Sequence, residues 1–133
     1  MAATITENTF LMHGSTKLVD IKEFPDLGKA PDTIDVTTLS NHAKVYINDL
    51  QDPGALEFTA NYDKDDFEAC KALEGKSESY AVWFGVGEGG EPDGHLGKFT
   101  FTGELSVWAK GAGVSAAREM GISIAPSTEI TFA

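Results

Sequence analysis

The side chains with chemistry to offer are few and scattered. Cys70 is the only cysteine, and His13, His42 and His95 fall in three different segments. A metal site drawn from one segment needs ligands at short, fixed spacings, and these imidazoles have none. Asp63, Asp65 and Glu74 occupy positions 1, 3 and 12 of a calcium-loop template. Phe67 and Glu68 stand where that loop requires an oxygen ligand and a glycine, so the acids read as a helix N-terminus instead. Gly85-Val86-Gly87-Glu88-Gly89-Gly90 has the spacing of a dinucleotide-binding loop and follows an apolar alternating run. Such a loop must open a helix, whereas Glu91-Pro92-Asp93-Gly94 follows here and the flanking acids repel a pyrophosphate. A hairpin loop is the expectation. The many carboxylates show no pattern that selects an acid–base pair, and no G-x-S-x-G elbow is present. Trp83 and Trp108 fall on the polar faces of their runs, where a sugar-binding platform is conceivable. Burial under a helix or at a subunit contact is the favoured reading. No catalytic residue, metal ligand or cofactor site is expected, and the chain does not read as an enzyme.

The elements that would position such residues are mostly strands. Leu56, Phe58, Ala60 and Tyr62 alternate with polar residues, Tyr80, Val82, Phe84 and Val86 with Ala81, Trp83 and Gly85, and Phe99 to Val107 with polar residues again, the last with a bend expected at Gly103. Thr16–Ile21, Ile34–Leu39, Met120–Ile124 and Glu129–Phe132 add shorter strands. One helix is expected over 63–75: Phe67, Cys70 and Leu73 make its apolar stripe and Gly75 its C-terminal stop. Cys70 on that stripe reads as a buried structural thiol. Residues 40–53 have no clear period yet carry Val45, Tyr46, Ile47 and Leu50, so they read as a long loop. Residues 1–15 read as an extended N-terminal arm with one apolar group, Phe10-Leu11-Met12, whose removal should leave a folded subunit. The expected fold is mainly β: a β-sandwich or partly open barrel of six to seven antiparallel strands with one flanking helix.

Composition sets outer bounds. The 133 residues make one domain's worth of chain, with 10 basic against 21 acidic side chains and a net charge of −11. Arg118 is the only arginine, and the lysines are spread so that neither half hides a basic module. A phosphate-gripping protein or an anionic-membrane binder needs the opposite balance. No apolar run approaches the roughly 20 residues of a membrane span. The N-terminus lacks a secretory signal pattern, and a lone cysteine fits assembly in a reducing cytoplasm.

One stretch is distinctive. Asp32-Thr33-Ile34-Asp35-Val36-Thr37-Thr38-Leu39-Ser40-Asn41 is followed by Lys44-Val45-Tyr46-Ile47 and then by Asp52-Pro53-Gly54-Ala55-Leu56-Glu57-Phe58-Thr59. Order and spacing resemble the tail tube (major tail) protein family of long, non-contractile-tailed bacteriophages. Tyr62-Asp63-Lys64-Asp65-Asp66-Phe67, Tyr80-Ala81-Val82-Trp83-Phe84 and Phe99-Thr100-Phe101-Thr102-Gly103-Glu104-Leu105 extend the likeness over roughly residues 15–125. The resemblance implies a single tail tube domain over 1–133, without the C-terminal immunoglobulin-like domain that some members carry. It also implies a structural subunit of a virion tail, assembled in the host cytoplasm into hexameric rings. Those rings stack into a hollow tube with an acidic lumen, through which DNA passes without specific binding. The partners implied are further copies of the chain and the tail tip, tape-measure and tail terminator proteins; no membrane is among them. Inter-subunit contacts are expected from Phe10, Leu11, Met12, Val45, Tyr46, Ile47 and Leu50. The lumen wall is expected from the polar faces of the 54–62 strand or the 79–109 hairpin. Another tube-fold component of a tail or secretion system, or a carbohydrate-binding module, are the alternatives.

Overall fold

The structure is a computed structural model and describes residues 7–50 and 54–133. The first six residues of the expected arm and the Asp52-Pro53 turn lie outside the described residues. Nine strands and one helix follow in the order β1 (Thr9–His13), β2 (Thr16–Asp20), β3 (Thr33–Asp35), β4 (Tyr46–Asn48), β5 (Leu56–Asn61), α1 (Lys64–Leu73), β6 (Ser77–Val86), β7 (Pro92–Ala109), β8 (Glu119–Pro126) and β9 (Thr131–Phe132) among the described residues. The main sheet runs β2-β1-β6-β7-β8-β5, with β9 added to β7, and all its pairings are antiparallel. Strands β3 and β4 pair only with each other, as a separate two-stranded sheet.

Strict alternation gives the main sheet its inside. Leu56 pairs with Ile124 and Phe58 with Ile122 across β5 and β8, and Ile124 and Ile122 pair in turn with Leu105 and Val107 of β7. All these side chains are buried, and together with Leu11, Val82 and Phe101 they form one cluster. The sheet then curls on itself. Just beyond β2, Lys22 N–H donates to the Thr59 carbonyl at 2.7 Å, and Thr59 N–H donates to the Glu23 carbonyl at 3.1 Å. That bridge ties the β2 end of the sheet to the β5 edge, giving a partly open barrel. Helix α1 packs on the open side, where Cys70 is fully buried and Phe67 and Leu73 touch the core. Its end is fixed to the sheet: β7 outruns β6 beyond Glu104, and the Val107 N–H left over donates to Glu74 Oε2 at 3.1 Å. Asp63 stands at the N-cap, Asp65 and Asp66 in the first turn, and Gly75 leaves the helix with a φ of 77°.

The fold class is the expected one, but the arm is not. Phe10, Leu11 and Met12 belong to β1, an interior strand between β2 and β6. Leu11 and Met12 are 0% and 1% exposed, so they have no surface to offer a neighbouring subunit, and Phe10 keeps only part of its own. The run 40–53 is not a plain loop either: Tyr46–Asn48 is β4, and the strand expected over 34–39 stops at Asp35. β7 runs unbroken through Gly103, where a Cβ would collide with the Ala125 carbonyl. The glycine serves close strand approach, not a bend.

Two outcomes test this packing. Deleting residues 1–14 takes β1 out of the middle of the sheet and should abolish the cooperative thermal transition seen by circular dichroism. The Tyr80 hydroxyl is buried with no hydrogen-bond partner among the described residues. Burial together with the nearby Glu78 charge pushes its pKa up to about 12. An unsatisfied buried hydroxyl costs about 1–3 kcal/mol. Tyr80→Phe should therefore raise stability by about 1 kcal/mol in a denaturant titration.

Candidate assembly surface

The titratable and nucleophilic side chains stay apart. His13 Nε2 lies 3.6 Å from Glu78 Oε2 beside the Tyr80 ring, His95 Nδ1 lies 2.6 Å from Asp93 Oδ1, and His42 is exposed between β3 and β4. Residues 64–73 are helical, so Asp63 and Glu74 stand at opposite ends, roughly 15 Å apart. Glu74 is held by Lys71 at 2.8 Å and by the Val107 amide. The glycine run 85–90 closes the β6–β7 hairpin, with Gly87 N–H donating to the Glu91 carbonyl and Gly90 N–H to the Gly87 carbonyl. Burial, reinforced by the Asp66 charge, pushes the Cys70 thiol up to about 11, so it stays protonated.

The tryptophans do not lie under the helix. Trp108 crosses the face of Gly121, its partner on β8, so closely that a Cβ there would overlap the indole. Trp83 stands between Phe10 of β1 and Lys98 of β7 on the outer face. The Lys98 ammonium sits 4.1 Å above its ring and occupies the surface a sugar would stack on.

Exposed apolar surface gathers instead on the β3–β4 hairpin. Ile34 pairs with Ile47 and Asp35 with Tyr46, and Val36 N–H continues the ladder to the Val45 carbonyl at 2.9 Å. Its tip is tied locally: Thr38 N–H and Oγ1 both bond Asn41 Oδ1, and Thr37 N–H donates to Asp35 Oδ1. The Thr37 hydrogen bonds, side chain first, hold the Asp35 carboxyl below its ordinary range, with Lys44 adding to them. Tyr46 and Ile47 are about half exposed, Leu50 is 85% exposed and Leu39 wholly so. A lone two-stranded hairpin is marginal in water, and contiguous exposed apolar groups mark contact surface. Of the seven residues expected at contacts, Val45, Tyr46, Ile47 and Leu50 are thus brought together in the open, apart from Phe10, Leu11 and Met12. Ile34, Val36 and Leu39 on the same hairpin are not among the expected contact residues, because their period-two spacing reads as an ordinary short strand.

The outer face of the main sheet is a second surface. The polar sides of β5 and of the β6–β7 hairpin turn out to be one continuous face: Glu57 pairs with Ser123, Ser123 with Ser106, Glu104 with Ser77 and Thr102 with Ser79. Small hydroxyls dominate it. Glu57 and Glu104 are exposed there and make no ion pair among the described residues.

Four carboxyls have pKa values lowered in the fold: Asp35 by Thr37, Glu74 by Lys71, Asp93 by His95 and Glu119 by Lys22. Each contributes stability above its unfolded pKa and loses it as pH falls through the folded one. Asp66, raised by burial and by Asp63, works in the other direction. The melting temperature should hold between about pH 7 and 5 and fall below about pH 4.5. Glu119→Gln, which removes the titrating charge from the 2.6 Å contact with Lys22, should make that fall shallower.

No family model matches the chain, and no curated protein matches its sequence. Among solved structures, the sheath/tube terminator of an extracellular contractile injection system (PVC), in the extended state, superposes with a TM-score of 0.70 at 8% identity. The match covers 100% of this chain and 98% of that one. At such identity the likeness concerns the fold alone. Over its given length the chain therefore has the fold of that component of an extracellular contractile injection system.

Proposed function

We propose that the chain is a structural tube subunit of a phage tail, forming hexameric rings that stack into a hollow tube. The observation that carries this is the end-to-end fold match to a tube terminator. The Ile34-Asp35-Val36-Thr37-Thr38-Leu39 and Asp52-Pro53-Gly54-Ala55-Leu56 motifs favour the tube subunit of a long, non-contractile tail over other tube-fold roles. The exposed hairpin supplies apolar surface that stacking copies would cover, and the open sheet edges supply pairing sites for a ring. The hydroxyl-rich outer face is proposed as the lumen wall, with Glu57 and Glu104 repelling the phosphates of passing DNA. Assembly in the host cytoplasm and contact with tail tip, tape-measure and terminator proteins follow from this role.

The likeness to a sheath/tube terminator favours one second reading, a subunit that ends a tube rather than extends it. Electron microscopy and native mass spectrometry of the purified protein separate the two. A tube subunit should give rings near 85 kDa, six copies of 14.2 kDa, and tubes at higher concentration. Rings that never stack would favour the terminator, and a monomer at every concentration would sink both.

Two variants extend the test. Ile47→Asp with Leu50→Asp should abolish ring and tube formation while changing stability by no more than about 0.5 kcal/mol, because both side chains are exposed. Glu57→Lys with Glu104→Lys should still assemble, and the tubes should retain DNA in a salt-dependent way. Retention equal to that of the unmodified tube would remove these two acids from the lumen.

A further inference from the structure

The base of the β3–β4 hairpin carries an electrostatic fault. Thr33 pairs with Asn48, and one step further Asp49 N–H donates to the Asp32 carbonyl at 2.6 Å. Two carboxylates thus face each other across the ladder, and like charges directly opposite destabilise a strand pair. Neither makes an ion pair among the described residues. Leu50 follows at once, with 85% of its surface in water. Asp49 Oδ1 accepts the N–H of the next residue, Leu50, at 2.8 Å, but neither acid meets a cation among the described residues, and the aliphatic side chain beside them has no cover.

The complementary feature lies on the main body. Between the start of α1 and the β7–β8 connection opens a cleft of ≈ 660 Å³, walled by Tyr62, Phe67, Ala109 and Ala112, with Lys110 and Arg118 at its polar side. The Tyr62 and Phe67 rings stand 5.6 Å apart and form its apolar wall. Arg118 is the only arginine of a chain with net charge −11, and its guanidinium makes no ion pair among the described residues. Lys110 reaches Thr59 Oγ1 at 2.8 Å and leaves donors over. Glu119 also lines the cleft, but Lys22 neutralises it at 2.6 Å. The cleft therefore offers an apolar slot with an unpaired, planar cation beside it, in a chain of net charge −11.

We propose that this cleft receives the hairpin base of a second copy of the chain. Leu50 enters against Tyr62 and Phe67, and Arg118 comes between Asp32 and Asp49. A guanidinium presents a fork of donors that two neighbouring carboxylates can share, which lysine cannot reproduce. The chain's own hairpin does not fill the slot, since Leu50 is exposed. The match is apolar to apolar and cation to acid pair, and it names a receptor for the hairpin within the assembly proposed above, on which this inference rests.

A charge swap read in trans tests it. Arg118→Asp alone and Asp49→Arg alone should each lower the multimeric fraction at least about tenfold at the concentration where the unmodified chain assembles. The double variant should recover assembly. Circular dichroism confirms folding, and the exposed positions keep the folded subunit intact. A Leu50→Cys chain mixed with an Ala112→Cys chain should link through a short thiol cross-linker into a mixed dimer, the buried Cys70 staying silent. If the unmodified chain assembles while Arg118→Asp assembles equally well, the cleft is overturned and the tube reading stands. The same holds if the double variant stays dissociated or the cysteine pair does not link between copies. A Leu50→Cys, Ala112→Cys double variant that links only within one chain overturns the second copy as occupant. A monomer at every concentration overturns both.

Discussion

The structure depends on how one sheet divides its two faces. Alternation along β5, β8, β7 and β6 sends most of the large aliphatic and aromatic side chains of those strands inward, Leu96 of β7 being an exposed exception, and the bridge from Glu23 to Thr59 curls the sheet around them. Once the sheet is curled, the single helix is enough to cover the open side, and Cys70, Phe67 and Leu73 complete the core. At 133 residues there is little apolar material left over, yet a good share of it stands in water on β3, β4 and the segments beside them. The chain is thus held together through its barrel, while its hairpin keeps apolar surface in water. The two properties are separable because β3 and β4 share no ladder with the main sheet.

Much of the barrel was legible in the sequence, for physical reasons that also explain the misses. β5, β7 and β8 have one wet and one dry face, so they alternate cleanly, and α1 carries its stripe, its acidic first turn and its stopping glycine. β1 does not alternate. It lies between β2 and β6, and Met12 is buried on the face opposite Leu11, so Phe10-Leu11-Met12 reads as a bare apolar cluster near a terminus. β4 is silent for the converse reason: all three of its residues are exposed, so no dry face imposes a period. The tryptophans were placed on the outer faces of their strands, but the helix is not their cover. The reasons were a glycine 13 residues along the chain from Trp108 and a lysine directly across the hairpin from Trp83, which only the register reveals.

The candidate surface was half legible. Val45, Tyr46, Ile47 and Leu50 stood out because a connection has no business carrying four large apolar side chains. Their strand partner Ile34 did not, since its period-two spacing reads as an ordinary short strand. The facing of Asp32 and Asp49, and the nearness of Arg118 to Tyr62 and Phe67, depend on pairings 17 and more than 50 residues apart in the chain, and no local pattern encodes them. Chemistry-bearing residues were easier to dismiss than contact residues were to find. A catalytic group advertises itself by spacing, whereas a contact surface exists only after the fold has decided what remains outside.

The single thiol has a last consequence. Cys70 is wholly buried under α1 and stays protonated well above neutral pH. A protonated, inaccessible sulfur neither attacks a disulfide nor meets an oxidant, so the chain is indifferent to the redox potential around it. Copies can pass from reducing to oxidising surroundings without a covalent event. In the assembly proposed above, the joins between copies therefore carry no disulfide.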